Sequence, residues 1–143
     1  MPWLFESRKS KERKSRFRQL VDMAMADGEL DPAEQNLLET VAIGLDFTPQ
    51  EVEKIMARPD RVAFQPPQSL DERLLQLMEV VDMMRADDEV KHAEEAFALS
   101  MSGKLGIPPR KAPALIAHIL GSIEQQRDWM QVREELKAML REA

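Results

Sequence analysis

Apolar residues recur at intervals of three and four along most of the chain. Phe17, Leu20, Val21 and Ala24 form one such stripe, and Leu74, Leu77, Met78, Val81 and Met84 form another. That spacing puts each set on one face of an α-helix. Helix starts are marked as well. Asp31-Pro32-Ala33-Glu34 supplies an N-cap, a Pro at the first helical position and a carboxylate at the third. Thr48-Pro49-Gln50-Glu51 repeats the pattern, Ser69-Leu70-Asp71-Glu72 gives a capping box without Pro, and Pro108-Pro109 marks a matching start. Gly28 suits the positive φ that ends a helix. The pattern predicts helices over 8–26, 31–45, 49–57, 69–86, 91–104, 109–120 and 122–141. The last carries Trp129, Val132, Leu136, Met139 and Leu140 on one stripe, enough to close a core from one side.

The elements fall into two copies. Residues 21–49 lie over residues 81–109 without a gap, with ten of 29 positions identical and eight of those ten in the first fourteen. The apolar positions carry over too, as in Phe17/Leu77, Val21/Val81, Leu37/Phe97, Val41/Met101 and Leu45/Leu105. Two copies are too few for a solenoid, so the expectation is one all-α globule of about seven helices: two three-helix repeats with pseudo-twofold symmetry plus a C-terminal helix. The expected layout is a basic N-terminal arm over 1–16 and a single domain over 17–143. Repeat one spans 17–57, a linker 58–68, repeat two 69–120 and the closing helix 122–141. The expected core is Phe17, Leu20, Val21, Leu30, Leu37, Val41, Leu45, Leu77, Val81, Val90, Phe97, Met101, Leu105, Leu115 and Ile116.

Composition narrows the chemistry. The 143 residues fit one domain, and 43% hydrophobic with 32% charged describes a globular chain. Cys is absent, which excludes disulfides, thiolate metal sites, iron–sulfur ligation and Cys nucleophiles. Two His exclude a multi-His zinc site within the chain. No phosphate-binding Gly loop and no His beside a nucleophile is present, so catalysis is not expected. No apolar run reaches the roughly 18 residues of a membrane span, and the chain reads as cytoplasmic, peripheral to the inner face of the membrane at most.

Charge is uneven. Residues 1–18 hold seven cations and two carboxylates, while the remainder holds 13 cations and 24 carboxylates. The acidic body repels phosphate backbones, which argues against nucleic acid as a partner. Trp3, Leu4 and Phe5 ahead of the cations suit an anionic membrane surface, with contact through residues 3–18; a solvated helical tail is the plainer reading.

Four carboxylates recur at the same places in both copies: Asp22, Asp27, Glu29 and Glu34 against Asp82, Asp87, Glu89 and Glu94. A helix–turn–helix corner with this spacing can aim several oxygens at one point, which hard cations such as Ca²⁺ or Mg²⁺ prefer. The candidate metal ligands are Asp27, Glu29 and Glu34 at the first corner and Asp87, Asp88, Glu89 and Glu94 at the second. An EF-hand is rejected, because Met23 and Met25, or Met83 and Arg85, stand where its first carboxylates belong. Two other readings stand beside the cation. Asp31, Glu34 and Asp27 can simply hold backbone groups at a turn. The corners can also form an acidic docking surface for a protein partner.

The doublet resembles the TerB-like family of tellurite-resistance proteins, which repeats an Ala-Asp-Gly, hydrophobic, Glu signature at two corners of an all-α fold. Here it stands as Ala26-Asp27-Gly28, Leu30 and Glu34, and as Ala86-Asp87-Asp88, Val90 and Glu94. The likeness covers about residues 15–120. It implies a small acidic helical module linked to tellurite and other stress resistance, with a divalent-cation site at the shared acidic residues. It also implies partners of the kind found beside J-domains and in membrane-associated assemblies. Asp88 departs from the pattern, standing where the family has Gly.

Overall fold

Ser7, Asp31, Thr48, Ser69 and Asp128 each accept a hydrogen bond from the backbone N–H three residues on, and each opens a helix. Such a side chain satisfies one of the donors that a helix start leaves without an intrahelical partner. The computed structural model describes residues 6–26, 28, 30–85 and 92–142, and within them the chain is helical with no strand. Seven α-helices are present among the described residues: α1 (Arg8–Ala24), α2 (Pro32–Gly44), α3 (Pro49–Ala57), α4 (Leu70–Met84), α5 (His92–Lys104), α6 (Ala112–Glu124) and α7 (Trp129–Arg141). A 3-10 turn, Pro59–Arg61, lies between α3 and α4. None of these helices is long and apolar enough to cross a membrane.

Helices α1 and α4 pack on each other at the centre. Helices α2, α3 and α5 lie against α1, while α5, α6 and α7 lie against α4. Equivalent positions of the two central helices are buried together: Phe17 and Leu77, Leu20 and Val80, Val21 and Val81, Met23 and Met83, Ala24 and Met84. Each large apolar side chain removed from water contributes about 1.5–3 kcal/mol, so these pairs form the largest favourable term in the centre. Met23 and Met83 are fully buried core residues, as thioethers at helical spacing usually are.

The helix ends repeat as well. After α2, Asp46 takes φ 60° and the Phe47 N–H reaches back to Ala42 O at 3.0 Å. After α5, Gly106 takes φ 87° and the Ile107 N–H bonds Ser102 O at 3.0 Å. Both are Schellman ends, in which a left-handed residue turns the chain and the next apolar side chain folds back onto the core. Phe47 and Ile107 are buried accordingly, and Phe47 meets Phe17 edge-on at 5.5 Å between ring centroids.

Three sequence expectations shift. Helix α6 starts at Ala112 rather than 109, because Pro113 has no N–H to donate to the Pro109 carbonyl and the continuous ladder begins only beyond it. It then runs through Gly121 to Glu124, and the break expected near 121 falls at Gln126, which takes φ 54°. There the Arg127 N–H closes on Ser122 O at 3.0 Å, and Asp128 caps α7. On α2, Leu37, Val41 and Leu45 are only partly buried, and Leu38 and Ala42 carry the buried row. Helix α2 packs chiefly on α1, so one narrow row is fully covered. Leu30 and Phe97 are likewise partly buried, and Val90 lies outside the described residues.

The basic stretch from Arg8 to Arg18 is the N-terminal part of α1. Most of its cations are engaged within the chain. Arg8 pairs with Glu12 at 3.1 Å, Lys14 with Glu6, and Arg18 with Asp22 at 3.2 Å. Arg16 grips Glu79 of α4 with two bonds of 2.6 and 2.5 Å, and Arg13 lies over the Phe47 ring, 4.9 Å from its centroid. The far end is fastened too. Arg127 and His118 both hold Glu135, with His118 Nε2 at 2.7 Å, which ties α7 to α6. The paired Arg127 holds the Glu135 carboxyl at about 2, well below its ordinary range, with His118 as a smaller cause. Lys111 donates to Met139 O at 2.6 Å and Leu140 O at 3.1 Å, placing a cation on the last turn of α7.

Candidate functional site

Glu34 is the third residue of α2, and Glu94 is the third residue of α5. Both are buried, with 2% and 1% of their surface exposed. Carboxylates at that depth are rare unless something compensates their charge. For Glu34 part of the compensation is local. Its backbone N–H donates to Asp31 Oδ1 at 2.8 Å, and its own Oε1 accepts from the Asp31 N–H at 3.2 Å. This is the capping box read from the sequence, so the structural role of Asp31 and Glu34 is made.

The box does not account for the electrostatics. Burial pushes the Glu34 carboxyl up to about 8, against the lowering effect of the Asp31 N–H; Asp31 and the charge of Glu94 push the same way. The effect of Glu94 carries geometric information. The two residues come from different copies of the repeat, 60 positions apart, and they are close enough for one to disfavour charge on the other. Glu34 and Glu94 therefore lie within reach of each other's charge.

The remaining predicted ligands divide cleanly. Asp27, Glu29, Asp87, Asp88 and Glu89 lie outside the described residues. Of the other recurring pair, Asp22 is held by Arg18, and the half-buried Asp82 on α4 is raised by burial and Glu79 and lowered by Arg85. Among the described residues, no group of three or more His, Asp or Glu gathers with metal-binding geometry. The described chain thus offers two buried carboxylates of the right chemistry for a hard cation, and Asp31 beside them, but not a full coordination shell. The convergence of Glu34 and Glu94 was not read from the sequence. The signal present was their shared position, third in each equivalent helix after the same acidic corner.

Residues 5–57, which include α1, α2 and α3, match the family model described as Tellurite resistance protein TerB. Over that first helix triplet the chain is similar to TerB, and the all-helical architecture of the described residues agrees with the fold that the sequence resemblance implies. Neither a curated protein nor a solved structure matches the chain.

Proposed function

We propose that this chain is a non-enzymatic, TerB-like binding module of tellurite and stress resistance, and that its ligand is a divalent cation held between the two acidic corners. The observation that carries the reading is the burial of Glu34 and Glu94 within each other's field. Two carboxylates so placed cost free energy together, and a Ca²⁺ or Mg²⁺ ion relieves both their desolvation and their repulsion. Glu34 and Glu94 supply the buried oxygens. Asp27 and Glu29 from the first corner, with Asp87, Asp88 and Glu89 from the second, are assigned the remaining positions.

The chain's own chemistry at the site is proton exchange. With its carboxyl raised to about 8, Glu34 holds a proton at neutral pH in the absence of a cation. A bound cation would require the deprotonated form, and Glu34 Oε would release its proton to solvent on binding. The test is thermal unfolding with Ca²⁺, Mg²⁺ or Mn²⁺ against chelator. A rise in Tm with one of these metals, absent in Glu34→Gln, supports the reading; no shift at millimolar metal rejects it.

A further inference from the structure

A concavity is lined by none of the acidic-corner residues. It is a groove of about 660 Å³ between α1, α3 and the 58–65 segment. That volume falls in the range of pockets that hold small organic ligands, roughly 300–1,000 Å³. Its charge opposes that of the chain. Five cations line it against two carboxylates, in a protein of net charge −6.

The two carboxylates are already engaged. Glu6 accepts from Ser10 Oγ at 2.9 Å and from Lys14, and Glu51 accepts from the Thr48 N–H at 3.0 Å. Arg58 is taken by Asp60 through bonds of 3.1 and 3.0 Å. Lys11, Lys54 and Arg61 remain. All three are exposed, and among the described residues their side chains form no ion pair and no hydrogen bond. Between them the lining is apolar, from Ile55, Ala57, Val62 and Ala63. A bare phosphate would leave that lining wet, and an uncharged lipid tail would leave the cations unanswered.

We propose that this groove binds a small amphipathic organic anion, with its oxyanion head among Lys11, Lys54 and Arg61 and its apolar body along Ile55 and Val62. The site shares none of the corner ligands and stands independently of the cation reading.

The probe is monomeric decanoate, followed by calorimetry and by amide NMR shifts on the full chain. One decanoate binds per chain, with shifts confined to α1, α3 and residues 58–65. The double variant Lys54→Glu/Arg61→Glu weakens binding by about tenfold or more, because attraction at the head becomes repulsion. Both residues are exposed and unpaired, so the variant keeps its far-UV spectrum and its Tm. Arg110→Glu, an exposed cation outside the groove, changes affinity by less than about twofold. Inorganic phosphate and 1-decanol each bind far more weakly than decanoate. The proposal is overturned by the absence of saturable decanoate binding, by equal losses in Arg110→Glu and the double variant, or by 1-decanol binding as tightly as decanoate. Sedimentation with phosphatidylglycerol vesicles by a chain that ignores monomeric decanoate would assign the groove to a bilayer surface and overturn it as well.

Discussion

Glu34 and Glu94 stand at the same turn of two equivalent helices, and the charge of Glu94 raises the proton affinity of Glu34. Removing Glu94 would lower the proton affinity of Glu34.

The first consequence is a pH dependence of stability. The folded chain holds a proton on Glu34 up to about pH 8, whereas an unfolded Glu releases it near its ordinary value of 4.5. Between those values the folded state binds more protons, so this group's contribution to stability falls as pH rises from about 4.5 to 8. Glu34→Gln keeps an acceptor for the Asp31 N–H and cannot ionise. Denaturant unfolding with chelator present should find the variant on the order of 1–3 kcal/mol more stable than wild type near pH 8.5, and close to wild type near pH 4.5.

Glu94→Gln tests the coupling itself. It deletes one of the causes that raise Glu34 and leaves the capping box intact. A carboxyl ¹³C titration of Glu34 should move down in this variant and still stay above the ordinary Glu range, since burial remains the main cause. An unchanged Glu34 titration would mean that the two helices hold their carboxylates apart.

Arg16 and Glu79 bind the central helices across their exposed edge with a bidentate pair. Its geometry favours a measurable contribution, while the partial exposure of Arg16 limits it. A double-mutant cycle with Arg16→Ala and Glu79→Ala should give a coupling of about 1 kcal/mol, against none for Arg58 and Asp60, both of which are exposed.

The ends of α2 and α5 give a matched pair of backbone tests. Gly106→Ala places a methyl at φ 87° and within 2.7 Å of Arg73 Nη1, which itself donates to Leu105 O at 3.1 Å. Chemical unfolding should show a loss of about 1–2 kcal/mol. Asp46→Gly, at the equivalent site, relieves a left-handed φ while freeing the unfolded chain, and should change stability by less than about 0.5 kcal/mol.

The starts of α2, α3 and α4 lie close to where capping residues and apolar spacing put them, because both are local properties of the chain, whereas α7 begins at Trp129 rather than at 122. The sequence repeat itself stands in the match of Val21–Glu34 to Val81–Glu94. What depends on tertiary placement was not legible. Leu38, rather than Leu37, faces inward because α1 covers one narrow row of α2. Gly121 carries no break because the left-handed turn at Gln126 ends α6 instead. At the candidate site, the acidic residues could be named from their spacing. That the charge of Glu94 reaches Glu34 from the other repeat could not, since nothing in either copy encodes its distance from the other. The cations of α1 read as a separate arm in sequence because Arg16 and Arg13 meet Glu79 and Phe47, which are remote along the chain.

Cation stoichiometry tests the central claim most directly. Titration calorimetry of the chelator-stripped chain at pH 8 with Ca²⁺, Mg²⁺ and Mn²⁺ should find one ion per chain for the preferred metal, lost in Glu34→Gln and in Glu94→Gln alike. Two independent ions per chain, each removed only by its own corner's substitution, or no heat with any of the three at millimolar concentration, would contradict it.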